Sequence, residues 1–170
     1  VSGDTPVFGI VGWKNSGKTT LMVGLVAALV GRGVRVSTVK HSHHGFDVDQ
    51  PGKDSYRHRE AGAFEAMVAS SRRWAIVHEL RDQPEPRLED LVQRLAPADL
   101  VLAEGFKASP HAKLEVRAGG LDRPWIADDD KSVVALACDE APPARLTLPH
   151  FMRDDIGAIA DFVLVRSGLA

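Results

Sequence analysis

The residues Gly12-Trp13-Lys14-Asn15-Ser16-Gly17-Lys18-Thr19 fit the pattern G-x-x-x-x-G-K-[ST], whose chemistry is the binding of a nucleotide's phosphates. A shuffled chain of this composition produces such a match about 0.5% of the time, so its context matters. An apolar run over residues 7–11 precedes it and a helix-forming run over residues 19–30 follows, which is the strand–loop–helix setting the pattern requires. Gly12 and Gly17 carry no Cβ, so the backbone can wrap closely and turn successive N–H groups toward phosphate oxygens. The helix that begins near Lys18 adds the positive end of its dipole. Lys18 supplies a point charge for the β- and γ-phosphates, and Thr19 offers a hydroxyl to Mg²⁺.

A magnesium site in such a loop needs a carboxylate from a neighbouring strand. Glu104 ends the apolar run of residues 99–104 and is the metal-side candidate; Gly105 after it is placed to bring its N–H to a γ-phosphate, with Lys107 at the same edge. A solvated carboxylate at a strand end is the plainer reading of Glu104. The polar stretch after the second strand holds Lys40, His41, His43, His44, Asp47 and Asp49. Asp47 and Asp49 can approach Mg²⁺ or orient water. The histidines have no cysteine beside them and read as solvent-facing rather than metal-ligating. Together with Lys53 and Arg57 they concentrate positive charge suited to a second, phosphorylated ligand. Asp139 follows a late apolar strand. A carboxylate there can accept N1–H and N2–H₂ of guanine, which adenine cannot offer; a turn aspartate ahead of Pro142-Pro143 fits equally well. Residue types alone do not choose GTP over ATP.

These residues need elements to hold them. Strand-like runs cover residues 7–11, 34–39, 64–69, 73–77, 99–104, 113–117 and 133–138, with a weak one at 146–148. Helical spacing covers 19–30, 54–63 and 88–95, and a terminal helix starts near Ile156. Strands alternating with helices predict an α/β fold of the P-loop NTPase type, a mostly parallel sheet with helices on both faces. The expectation is one nucleotide-binding domain over residues 1–170. Trp74 reads as strand core, Cys138 as a buried inert thiol, and Asp128-Asp129-Asp130 as a solvated turn.

Composition narrows the function classes. The 170 residues are 44% hydrophobic and 26% charged, with a formal net charge of −2 and one cysteine. That is ordinary globular composition. It argues against disorder and against a broad nucleic-acid footprint. A single cysteine excludes an internal disulfide and fits a reducing, cytoplasmic setting. No apolar run is long enough to span a bilayer, and no signal-like segment opens the sequence.

Four stretches together carry a resemblance: GWKNSGKTT, VKHSHHGFDVDQPGKDSYRHREAGA, RRWAI and LAEGFK. They resemble the MobB family, the molybdopterin-guanine dinucleotide biosynthesis protein B. The likeness runs from about Val7 to Lys107 and continues more weakly to the end, and the 39–63 stretch is its most specific part. The resemblance implies a GTP-binding accessory protein with weak, Mg²⁺-dependent GTPase activity and an extensive homodimer. It implies help to a MobA-type nucleotidyltransferase that joins GMP to molybdopterin, giving the guanine dinucleotide. It assigns Gly12, Trp13, Lys14, Asn15, Ser16, Gly17, Lys18, Thr19 and Thr20 to the GTP phosphate loop. Glu104 becomes the Walker-B-like carboxylate, Asp49 a metal-side or switch residue, and Asp139 a guanine candidate. Turnover should be slow, because no arginine finger is identifiable. The alternative is an ATP-dependent small-molecule kinase or ligase, with His43, His44 or Asp47 as base. A third is a non-catalytic assembly module whose interface Trp13, Trp74 and Trp125 mark.

Overall fold

A computed structural model describes residues 5–42 and 45–170. Their contacts divide the chain into two compact units, one made of the chain up to His41 and from Arg87 onward, the other of Ser42–Pro86.

The first unit is built on a parallel sheet. Its strands are β1 (Val7–Val11), β2 (Val36–Lys40), β5 (Leu100–Glu104), β6 (Lys113–Arg117), β7 (Val133–Cys138) and β8 (His150–Met152). They lie in the order β2-β5-β1-β6-β7-β8, and every adjacent pair is parallel. β1 and β5 are continuous apolar runs because they are flanked on both sides and covered on both faces. On one face α1 (Lys18–Gly31) and α4 (Ile156–Arg166) bury Leu21, Leu25, Leu29, Ile159 and Val163 against Phe8, Ile10 and Leu102. On the other, Val11, Leu136 and Cys138 are covered by Trp125, by the 3₁₀ turn Ile126–Asp128, and by Leu146 and Leu148. Cys138 is buried and burial pushes its thiol pKa up, as an inert core thiol requires.

Two expectations shift. The last strand is His150–Met152, not 146–148. The Pro149 carbonyl accepts the Leu136 N–H at 2.9 Å, but proline has no N–H to give a ladder, and the register with β7 runs from His150. Leu146 and Leu148 act as cover instead. The aspartate turn is exposed at Asp128 and Asp129, as expected, but two of its three carboxylates are tied down. Asp128 pairs with Arg145 at 2.8 Å, and Asp130 with the fully buried Lys113 at 2.8 Å.

The second unit contains α2 (Asp54–Glu60) and an antiparallel hairpin of β3 (Glu65–Ala69) and β4 (Trp74–His78). α3 (Leu88–Val92) follows it in the first unit. The hairpin turn closes on Ser70, whose N–H donates to the Arg73 carbonyl at 2.9 Å and whose Oγ accepts from the Arg73 N–H at 3.2 Å. α2 buries no residue. The unit is tied instead through Arg59, which donates to Glu79 at 2.6 Å and to both oxygens of Asp47 at 2.9 and 3.0 Å. Trp74 is 64% exposed, so it is not core. Among the described residues no helix is long and apolar enough to cross a membrane.

Gly9 interrupts the apolar run of β1 for a steric reason: a Cβ there would collide with the His111 ring and stand 2.8 Å from Lys113 Cγ. Neither His111 ring nitrogen has a hydrogen-bond partner. Burial first, and then repulsion from Lys113, push its pKa down to about 4. The unfolded chain binds that proton near pH 6.5. Stability is therefore full above about pH 6.5 and is lost as pH falls toward 4. Denaturant unfolding should show lower stability at pH 5 than at pH 7.5, and His111→Gln should flatten that dependence; an unaltered slope in the variant contradicts it.

Candidate functional site

The glycine-rich loop of residues 12–17 joins the carboxyl end of β1 to the start of α1. A Cβ on Gly12 would stand 2.5 Å from the Val116 carbonyl oxygen and from Ser16 Oγ, so the loop is pressed against β6. Asn15 (φ 64) and Gly17 (φ 89) both take left-handed backbone. Ser16 is fully buried and its Oγ has no partner. α1 differs from the other described α-helices. It has neither a side-chain cap nor an acidic residue in its first turn, whereas Asp155 caps α4 by accepting from the Ala158 N–H at 3.1 Å. The first N–H groups of α1 thus lack a partner within the helix. Lys18 folds back over the loop, its Nζ donating to the Trp13 carbonyl at 2.7 Å. Burial lowers its pKa; Glu104 opposes this, while Lys107 and Lys40 add to it. Lys14 and Thr20 are exposed.

Sheet register brings the acidic partner to this loop. Glu104 lies opposite Ile10 of β1 and Lys40 of β2. Thr19 Oγ1 donates to Glu104 Oε1 at 3.3 Å, and Lys40 Nζ stands 3.3 Å from the same oxygen. A threonine hydroxyl beside a carboxylate is a hard-oxygen donor pair. It suits Mg²⁺, which keeps several of its own waters. Gly105 departs from expectation: its N–H donates to the Ile10 carbonyl at 3.0 Å and is not offered to a phosphate here. Trp13 is fixed by its own bond, Nε1 to the Pro124 carbonyl at 2.8 Å, and Lys107 Nζ lies 4.1 Å from its ring centroid.

Asp139 stands at the end of β7 with both oxygens engaged. Arg153 Nε donates to Oδ1 at 2.8 Å, Nη2 to Oδ2 at 2.9 Å, and the Gly119 N–H to Oδ2 at 3.0 Å. The Arg153 bond, then the Gly119 bond, hold its pKa below the usual carboxylate range. The Arg153 guanidinium lies over the phosphate loop, with Nη1 in the space a Cβ on Gly17 would take. Sequence reasoning passed over Arg153, whose only signal is its place after the last strand. Near Asp139 a cavity of about 450 Å³ opens at the carboxyl ends of β6 and β7, lined by Arg117, Trp125 and Glu140; strand ends of this kind are where open α/β sheets take ligands.

Asp49 belongs to the second unit. Arg59 Nε lies 3.7 Å from its Oδ2, and its Oδ1 accepts from the Gln50 N–H at 3.0 Å. Asp47 has its pKa lowered by the Asp49 N–H first and by Arg59 next. Lys53 and Asp49 line a separate cavity of about 490 Å³ in this unit. His43 and His44 lie outside the described residues. Among the described residues no group of three or more His, Cys, Asp or Glu is placed to hold a metal ion.

Comparison with known proteins shows the family. The family model MobB, "Molybdopterin guanine dinucleotide synthesis protein B", matches residues 7–139. The chain is 41% identical over 162 residues to a molybdopterin-guanine dinucleotide biosynthesis adapter protein of Escherichia coli K12, covering 94% of this chain and 91% of that one. It is 39% identical over 166 residues to the adapter protein of Haemophilus influenzae, covering 96% and 90%. A crystal structure of a MobB homolog from Bacillus stearothermophilus superposes with a TM-score of 0.73 at 29% identity, covering 96% of this chain and 99% of that one.

The left-handed backbone at Gly17 penalises any Cβ. Gly17→Ala should therefore cost about 1–2 kcal/mol in denaturant unfolding; an equally stable variant would show that the loop relaxes freely.

Proposed function

The chain belongs to the MobB family, and we propose that it is a GTP-binding adapter in molybdopterin guanine dinucleotide synthesis, with weak Mg²⁺-dependent GTPase activity. The observation that carries the nucleotide part is the uncapped start of α1, with Lys18 folded over the loop and Thr19 bonded to Glu104 at 3.3 Å. An uncapped helix start beside a lysine suits an anion. Phosphate oxygens would replace the Trp13 carbonyl as acceptors for Lys18. Thr19 and Glu104 would hold Mg²⁺. Bound there, the ion would neutralise phosphate charge. Lys18 needs no proton transfer to act, since a charged ammonium suffices. The preference for guanine rests on the kinship with the adapter proteins and not on Asp139, whose carboxylate Arg153 occupies.

The same kinship supports the remaining parts of the reading. An adapter acts through partners, here a MobA-type nucleotidyltransferase together with molybdopterin or its guanine dinucleotide, in the cytoplasm. Slow turnover suits such a protein better than a metabolic kinase. The expected homodimer finds support in the β3–β4 hairpin. Met67 and Ile76 pair directly across it, and with Trp74 they leave an apolar face 61%, 44% and 64% exposed. Apolar patches of this sort mark interfaces, and a second copy of the chain is the occupant proposed.

Calorimetry with GTP, GDP and ATP, each with and without Mg²⁺, tests the reading. GTP should bind tightest and with Mg²⁺, and Lys18→Ala should weaken it at least about tenfold. A clear ATP preference would favour a P-loop kinase or ligase instead. In sedimentation, Met67→Glu combined with Ile76→Glu should convert a dimer to a folded monomer, and a dimer that survives both charges would place the interface elsewhere.

A further inference from the structure

We propose that Arg153 is a phosphate-binding arginine built into this chain, and that Asp139 is the residue that positions it. The proposal rests on reading residues 12–19 as a polyphosphate loop.

The pair is made by the sheet. Cys138 and Met152 are register partners at the ends of the parallel strands β7 and β8, so the residues that follow them, Asp139 and Arg153, leave the sheet side by side. Two of the three guanidinium nitrogens are then used in a fork on the carboxylate, at 2.8 and 2.9 Å. The third, Nη1, projects over Gly17, into the volume that only a missing Cβ leaves open. Gly17 directly precedes Lys18, so a permanent charge stands at the mouth of the loop. Its carboxylate partner is held back by the Gly119 N–H at 3.0 Å.

An ion pair serving stability alone accounts poorly for this arrangement. The two side chains are 31% and 35% exposed, and pairs so exposed contribute little to folding. A guanidinium clamped on one edge has already lost the freedom that phosphate binding would otherwise cost it. Its planar fork suits phosphate oxygens, and its charge does not titrate near neutral pH. An arginine acting from within the same chain is a known device in phosphoryl chemistry. Here it would add a second charge-assisted hydrogen bond to the polyphosphate that Lys18 grips.

The test is competition binding of GTP, GDP and GMP to the full chain and four variants, with thermal melts of each nucleotide-free protein as the check on folding. Arg153→Ala should weaken GTP and GDP by about 10- to 100-fold while GMP changes much less. Arg153→Lys should recover part of that loss, and Asp139→Asn should fall between the wild type and Arg153→Ala. Equal weakening of all three nucleotides would mean a structural role and overturns the proposal. If Lys18→Ala loses GTP but Arg153→Ala and Asp139→Asn do not, the inference fails while the loop reading stands. If Lys18→Ala also binds normally, the loop reading fails and takes the inference with it.

Discussion

Helix α1 starts on left-handed Gly17 with its first N–H groups uncapped, and much of the surrounding structure supports that exposed start. Capping is the ordinary remedy for such groups, and the chain uses it elsewhere: Asp155 caps α4 with its own carboxylate. At α1 no side chain does so and no acid is near in the first turn. The partial positive charge there is left facing outward. Lys18 has turned back onto a loop carbonyl. A site of that polarity favours an anion with several oxygens.

The parallel sheet sets where the charges around this point can stand. Because β5 lies between β1 and β2, Glu104 reaches Thr19 on one side and Lys40 on the other through one oxygen. Because β7 and β8 are parallel, Asp139 and Arg153 emerge together at the same end. Polar groups that the loop does not need are tied down. Trp13 is bonded to Pro124, and the nearly buried Glu115 accepts the N–H groups of Ile126 and Ala127 at 3.0 and 2.9 Å, holding the segment that carries Pro124. Burial raises the Glu115 pKa against the pull of those two bonds. Core packing by α1 and α4 on one face then makes the loop's footing rigid.

The second unit obeys a different constraint. Its helix buries nothing and its hairpin is too small to enclose a core. A two-stranded hairpin is marginal by itself in water. Arg59, with Asp47 and Glu79, supplies directional bonds where apolar burial is lacking. Met67, Trp74 and Ile76 remain exposed on the hairpin surface.

The element pattern was legible without coordinates. The strand–loop–helix setting of residues 7–31, the bounds of β1, β6 and β7, and the C-terminal helix follow from local chemistry: glycine spacing, unbroken apolar runs and 3.6-residue periodicity. Family membership was equally legible, because the 39–63 stretch and the loop carry it in their residues. Pairing partners were not. That Trp74 faces outward depends on neighbours distant in sequence. So does the capture of the Gly105 N–H by Ile10. Arg153 could not be singled out among the chain's other arginines, because its meaning comes from a strand register that sets it beside Asp139 and above Gly17. A side chain's type is local, but the field it sits in is assembled by the fold.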